Sequence, residues 1–298
     1  MNVISGRPEA TAEVWWPSRY GPEDEAGALN EITRAARVRA AQLVRTGHVF
    51  DLSYALSAMI PAFGDRMFMQ ELCRPEGPIG RNRVGWVIER VAAPSQMGTH
   101  MDGLNHLHID GRMYNGHRLA DVAEPWGTSR LGADALPQIV TRGLLLDVAG
   151  ARGVNRLEKG DVVTPDDAGA ALRARGLTVE PGDAVLFHTG WGRQWGVDDH
   201  AYVDGEPGPG LALVDWLVER RVSLTGCDTW SYGPVPAEDP DEPFVVPQTL
   251  NARHGVVVLE NLHLAGLADA RVGEFLFVVS HARLRGATGA WVAPLAIV

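Results

Sequence analysis

The chain has 298 residues, a formal net charge of −10, 45% hydrophobic and 21% charged residues. That is an ordinary globular composition, long enough for one large domain or two of average size. The acidic balance, without a Lys/Arg run, excludes nucleic acid as an expected partner, and two distant cysteines, Cys73 and Cys227, exclude a disulfide framework or a cysteine zinc cage. Both read as small buried apolar residues. No window reaches the ~18 apolar residues of a membrane span, and residues 1–12 lack a basic-then-apolar targeting pattern, so the expectation is a cytoplasmic protein with no membrane partner.

Residues 1–14 read as a flexible tail. Trp15-Trp16-Pro17 and Tyr20-Gly21-Pro22 make a turn-rich aromatic segment, with one Trp expected in the core and the other against a pocket. Residues 33–45 predict a helix, capped by Thr33 and stopped by Gly47. Residues 48–57 alternate apolar and polar positions, as a strand does. Met59, Met67 and Met69 with Phe63 and Phe68 make an adaptable apolar surface, either a loop packed on the core or a substrate wall. Residues 84–93 are β-rich, and 143–148 read as a short buried strand. Thr164-Pro165-Asp166-Asp167 opens a helix that ends at Gly176: a capping hydroxyl, Pro at the first position, and acids at the positive end of the dipole. Residues 183–188 predict a strand, 210–221 an amphipathic helix, 222–227 a strand ending in Asp228, and 238–243 a loop. Residues 255–260 form an apolar strand ending in Glu260; 274–284 and 290–298 are further strands. Many strands with a few intercalated helices and no repeat predict an α/β fold with a mixed sheet core and flanking helices.

The densest chemistry lies in Gln96-Met97-Gly98-Thr99-His100-Met101-Asp102-Gly103-Leu104-Asn105-His106. On a strand, His100 and Asp102 project from one face, because side chains alternate. An imidazole beside a carboxylate can hold a divalent metal and leave positions open for water. The same two-residue pattern also occurs as a hydrogen-bonded pair or a solvated turn. Strand ends are where α/β proteins place their sites, and His188, Asp228 and Glu260 stand at three of them. Glu260 follows an apolar run and needs a partner if buried, whether a metal, an arginine or a backbone turn.

Gly98-Thr99-His100-x-Asp102-x-x-x-His106 resembles the core of the His-x-Gly-Thr-His-x-Asp-x-x-x-His signature of the cyclase family, which includes bacterial kynurenine formamidase, isatin hydrolase and a trans-dienelactone hydrolase. The segments 20–30, 182–191, Val258-Leu259-Glu260-Asn261-Leu262 and Gly286-Ala287-Thr288-Gly289-Ala290 are similar to further family segments. The resemblance runs from about residue 15 to the end and implies one domain over 15–298, with a swivelling β/β/α fold, a small-molecule substrate and assembly as a homodimer or homotetramer.

Two positions depart from the formamidase pattern: Gln96 and Gln248 stand where that pattern has histidines. Isatin hydrolase resembles a single-metal arrangement with His, Asp and Gln ligands, and His100, Asp102 and Gln248 match it. The resemblance therefore implies one divalent metal, manganese or zinc, on those three residues, with Glu260 and Gln96 as weak ligands or neighbours of the ligands. His106 is implied as the general base and then acid, against a reading in which it only orients a metal ligand. Trp16, Phe63 and Trp191 are candidate pocket walls; Asp228 is a candidate to orient His106 or bind a loop, and Tyr232 to donate to a substrate oxygen. The implied activity is opening of a small cyclic or aromatic amide, lactone or imide. Its rivals are a cyclase or isomerase, an arylformamidase acting on N-formylkynurenine, and a metal-free binding protein.

Overall fold

A computed structural model describes residues 14–73 and 77–298. The tail expected at residues 1–14 thus lies outside the described residues, except for Val14. A nine-stranded mixed sheet organises the rest. In chain order its strands are β1 (Val49–Asp51), β2 (His100–Asp102), β3 (Ile139–Asp147), β4 (Ala184–His188), β5 (Leu224–Cys227), β6 (Val257–Glu260), β7 (Glu274–Val279), β8 (Gly289–Trp291) and β9 (Leu295–Ile297). Across the sheet they run β1-β9-β7-β3-β4-β5-β6-β2-β8. Strands β3 to β6 are mutually parallel, and every pairing outside that block is antiparallel.

The parallel strands are continuous apolar runs because both sheet faces are covered. On β4, Ala184 and Leu186 join Met101, Phe275 and Phe277 on one side. Val185 and Phe187 face the other side, with Ala168 and Ala171 from helix α2 (Pro165–Arg175) and Leu213 and Leu217 from helix α3 (Ala212–Glu219). Helix α2 is bounded as expected. Thr164 and Asp167 form a reciprocal capping box, and Gly176 closes the helix in the left-handed region at φ 64°.

Other boundaries differ. The first helix, α1 (Arg34–Ala41), keeps its Thr33 cap but ends before the expected Gly47. The strand expected over 48–57 shrinks to β1, because Ser53 and Tyr54 leave the ladder for Asp51 and Thr99. The strand expected over 290–298 is two strands, β8 and β9, which lie at opposite sides of the sheet. Pro294 separates them; it has no N–H for a ladder, while its carbonyl accepts from Leu52. A hairpin, Met69–Cys73 paired with Ile88–Ala92, stands apart from the main sheet with nearly all of its residues exposed. Cys227 is buried as expected, but Cys73, at the end of that hairpin strand, is only half-buried; both are free thiols. No helix among the described residues is long and apolar enough to cross a membrane.

Candidate metal centre and active site

Register brings the site together. Strand β2 is antiparallel to β6, with Met101 opposite Leu259 and His100 opposite Glu260. Met101 and Leu259 join one core, so His100, Asp102 and Glu260 share the opposite face. Glu260 is the last residue of its strand. Asn261 follows in the left-handed region at φ 54°, and its carbonyl accepts from Thr99 Oγ1 at 2.6 Å. That bond ties the start of β2 to the end of β6. Gly98, at φ 59°, occupies a position where a Cβ would lie 2.2 Å from Leu56.

The three side chains are buried. His100 Nε2 lies 3.3 Å from Glu260 Oε2 and 3.6 Å from Asp102 Oδ1. His100 Nδ1 is 2.9 Å from the carbonyl of Gly98. A carbonyl only accepts, so Nδ1 carries the proton and Nε2 turns its lone pair toward the two carboxylates. His100 Nε2 and Asp102 Oδ1 are both buried without a hydrogen-bond partner among the described residues. Such a convergence of electron-rich atoms costs several kcal/mol unless a cation or proton lies between them. One potential ligand atom from each residue lies within 4.8 Å of the others. Donors about 2.1 Å from a common ion stand roughly 3–4 Å apart, so the group fits a divalent metal. Burial pushes the Asp102 carboxyl up to about 6 and that of Glu260 up to about 7, and it lowers the affinity of His100 for a proton.

The chain turns at Gly103, whose carbonyl accepts from the amide of His106. His106 returns to the same cavity, with Nε2 3.9 Å from Asp102 Oδ1 and its side chain 26% exposed. A cavity of about 120 Å³ opens over Asp102, His106, Glu260 and Gln96. Its aromatic wall is Phe63, Trp230 and Phe244, with Phe63 stacked on Trp230 at 4.4 Å and 14°. Arg66 and Ser231 complete its polar lining.

Phe63, Gln96, Asp102, His106 and Glu260, all singled out in the sequence, line this one cavity. Gln96 also donates to Thr288 Oγ1. Gln248 is not among the cavity-lining residues. It stands where a short helix, Val245–Gln248, passes into a π-helical turn, and its amide nitrogen donates to the carbonyl of His108.

Four expected pocket residues lie elsewhere. Trp16 packs against Trp15, Arg112 and Gly116. Trp191 is buried with Tyr202, to whose carbonyl it donates. Asp228 binds a loop, the second of its two expected roles: its carboxylate accepts from Thr189 and from the amides of Gly190 and Gly192. Tyr232 is fully buried and hydrogen-bonded to Thr225. Trp191, Asp228 and Tyr232 all follow strand ends, and each is buried where it stands: Trp191 in a cluster with Tyr202 and Trp230, Asp228 on the 189–192 loop, and Tyr232 in the core beside Phe187. Met59, Met67 and Met69 are exposed rather than a substrate wall, and Phe68 is buried against Trp291. His188, at the end of β4, points its Nδ1 at Asp147 at 2.8 Å, outside the cavity.

Sequence reasoning missed Arg66, Trp230 and Glu206. Glu206 is fully buried and accepts from the amides of Trp230 and Ser231 and from Ser231 Oγ. It holds the wall through these bonds and takes up the Ser231 hydroxyl as a donor. Its trace in the chain is one acid between Gly205 and Pro207, two residues after Asp204.

The model of the cyclase family matches residues 50–234. A crystal structure of a novel cyclase is similar over 94% of this chain and 96% of that one, at 25% identity and a TM-score of 0.85. Isatin hydrolase A from Ralstonia solanacearum shares the fold over 88% of this chain and 94% of its own, at 21% identity and a TM-score of 0.63. An isatin hydrolase bound to the product analogue thioisatinate does so over 87% and 94%, at 18% identity and a TM-score of 0.61. No curated protein sequence matches.

Proposed function

The chain belongs to the cyclase family, and from that premise we propose that it is a metal-dependent hydrolase opening a small cyclic or aromatic amide, lactone or imide. The carrying observation is the buried convergence of His100 Nε2, Asp102 Oδ1 and Glu260 on one point beside His106. His100, Asp102 and Glu260 would hold the ion, with Gln248 as the further ligand that the family resemblance implies. Manganese and zinc both suit a set of one imidazole and several oxygens. A divalent metal bound there supplies a Lewis acid and lowers the pKa of water toward neutrality.

The chain's own residues do the rest. His106 stands at the cavity surface, where its imidazole takes a proton from the attacking water and returns it to the leaving nitrogen or oxygen. Phe63, Trp230 and Phe244 offer flat apolar faces to a planar substrate. The cavity resembles in size the roughly 150 Å³ that admits a benzene ring, which favours a substrate of one ring. Ring closure, the second reading, calls for a drier cavity walled by methionines, and Met59, Met67 and Met69 are exposed. N-formylkynurenine remains the comparison substrate for the arylformamidase reading.

The test is metal analysis of purified wild type, His100→Ala and Gln248→Ala, followed by acid release from candidate lactones, imides and amides. About one manganese or zinc per wild-type chain, lost in His100→Ala, is the expected result. Retention in Gln248→Ala assigns the third ligand to Glu260 alone. A wild type that takes up no metal overturns the hydrolytic reading.

A further inference from the structure

Arg66 lines the cavity, yet it forms no ion pair with a carboxylate among the described residues. Its Nη1 donates to the backbone carbonyl of Gln96 at 3.1 Å, and its guanidinium carbon lies 5.9 Å from the centroid of the Phe63 ring. That one backbone bond anchors the side chain and leaves most of the planar fork's five donors unassigned. Arg66 lines the same cavity as Asp102 and Glu260, so its positive field acts on those carboxylates.

Charge accounting gives that field a purpose. Asp102 and Glu260, as carboxylates, together balance a divalent cation. Arg66 is the cavity's permanent cation, so the loaded cavity is positive inside a chain whose net charge is −10. A pocket of one sign with low-dielectric walls concentrates ligands of the other sign. The wall beside Arg66 is aromatic, with Phe63 stacked on Trp230 and Phe244 at an angle to both.

We propose that Arg66 is a specificity-determining residue that binds an anionic group, best a carboxylate, carried on the aromatic ring of the substrate. This rests on the hydrolytic reading and narrows it: the substrate is a planar single-ring acid whose scissile carbonyl meets the metal group while its carboxylate meets Arg66. Guanidinium and carboxylate match as a two-bond fork, which a neutral ring substituent cannot reproduce.

Benzoate, phthalate, isophthalate and terephthalate serve as probes, titrated calorimetrically into zinc- or manganese-loaded wild type, Arg66→Gln and Arg66→Lys. A monocarboxylate can satisfy the metal alone; a dicarboxylate of the right spacing satisfies the metal and Arg66. At least one dicarboxylate is expected to bind wild type about tenfold more tightly than benzoate, the equivalent of one charged hydrogen-bond pair. Arg66→Gln is expected to reduce that advantage to less than about twofold with metal content unchanged, the dicarboxylate losing more affinity than benzoate does; Arg66→Lys retains part of the advantage. The proposal is overturned if no dicarboxylate exceeds benzoate in wild type, or if the advantage survives in a folded Arg66→Gln. Failure of the hydrolytic reading shows separately, as wild type without metal. Benzoate is then compared with benzamide: a preference for benzoate that Arg66→Gln abolishes upholds Arg66 as the anion site, and no preference overturns it.

Discussion

At the scale of single residues, the site depends on atoms that lack ordinary partners. His100 spends its one N–H on the Gly98 carbonyl, so its other nitrogen is committed to acting as a donor of electrons. The His106 imidazole differs by being partly exposed and by making no hydrogen bond to a backbone carbonyl among the described residues, as suits a group that exchanges protons. Replacing His106 with Ala is expected to lower turnover by about 10²–10⁴-fold while the metal content stays at the wild-type value, since general acid–base catalysis contributes on that order. Equal loss of metal in His106→Ala would make it a ligand instead. Glu206 acts one layer back. Glu206→Ala leaves the amides of Trp230 and Ser231 and the Ser231 hydroxyl without their acceptor. A loss of about 3 kcal/mol in denaturant unfolding is expected, with a raised KM from a loosened Trp230. An unchanged midpoint would show that the loop finds other acceptors.

At the scale of elements, the carboxyl ends of the parallel strands gather acids and imidazoles, and only one set forms the site. Asp147 ends β3 and His188 ends β4, side by side in register, and they bond to each other at 2.8 Å. Burial presses the His188 imidazole down, but the Asp147 hydrogen bond and the charges of Asp228 and Asp147 outweigh it, and the net shift is upward. Burial pushes Asp147 up, but the His188 bond and the Gly150 amide outweigh it, and the net shift is downward. A raised imidazole stabilises the fold fully below its unfolded value near 6.5, and the effect fades as pH rises through the folded value. A lowered carboxylate stabilises above its unfolded value near 3.9, and the effect fades as pH falls. The pair therefore contributes most between about pH 4 and 6.5. Asp147→Asn is expected to cost about 2 kcal/mol at pH 5.5 and less than about 1 at pH 9. Unfolding midpoints of the variant and wild type at the two values check this; a gap independent of pH would mean that the pair is not ionised.

The whole molecule raises the question of assembly. The hairpin Met69–Cys73/Ile88–Ala92 and its approaches expose Met67, Met69, Leu72, Val87 and Ile88, each more than half accessible. A two-stranded hairpin is marginal when isolated, and so much apolar surface on one arm is costly in water. The arm is rooted at the cavity, since Phe63 and Arg66 lie just before it and Gln96 just after it. The homodimer or homotetramer implied by family resemblance is expected to cover this arm. Light scattering should give a mass of two or four chains for wild type, and Leu72→Lys with Ile88→Lys should lower it. A single-chain mass for wild type at micromolar concentration would remove the assembly.

The sequence by itself determined the parts whose causes are local. Thr164 to Asp167 carried a complete cap, so α2 was legible to the residue. Alternation placed His100 and Asp102 on one face before any partner was known, and the spaced segments around them carried the family. What a strand pairs with is not local. Glu260 joins His100 only because β6 lies antiparallel to β2 with those two residues opposite. Residues 290–298 read as one strand, yet Pro294 and the order of the sheet divide them between its opposite sides. Trp16 and Trp191 looked like pocket walls, and Tyr232 like a donor to substrate, because aromatic side chains serve cores and cavities alike, and only packing assigns them. Arg66, Trp230 and Glu206 belong to three separate segments whose functional proximity arises from the closed fold. Composition and periodicity record what each segment prefers; register, burial and charge balance across distant segments exist only after folding, and they bring His100, Asp102 and Glu260 together.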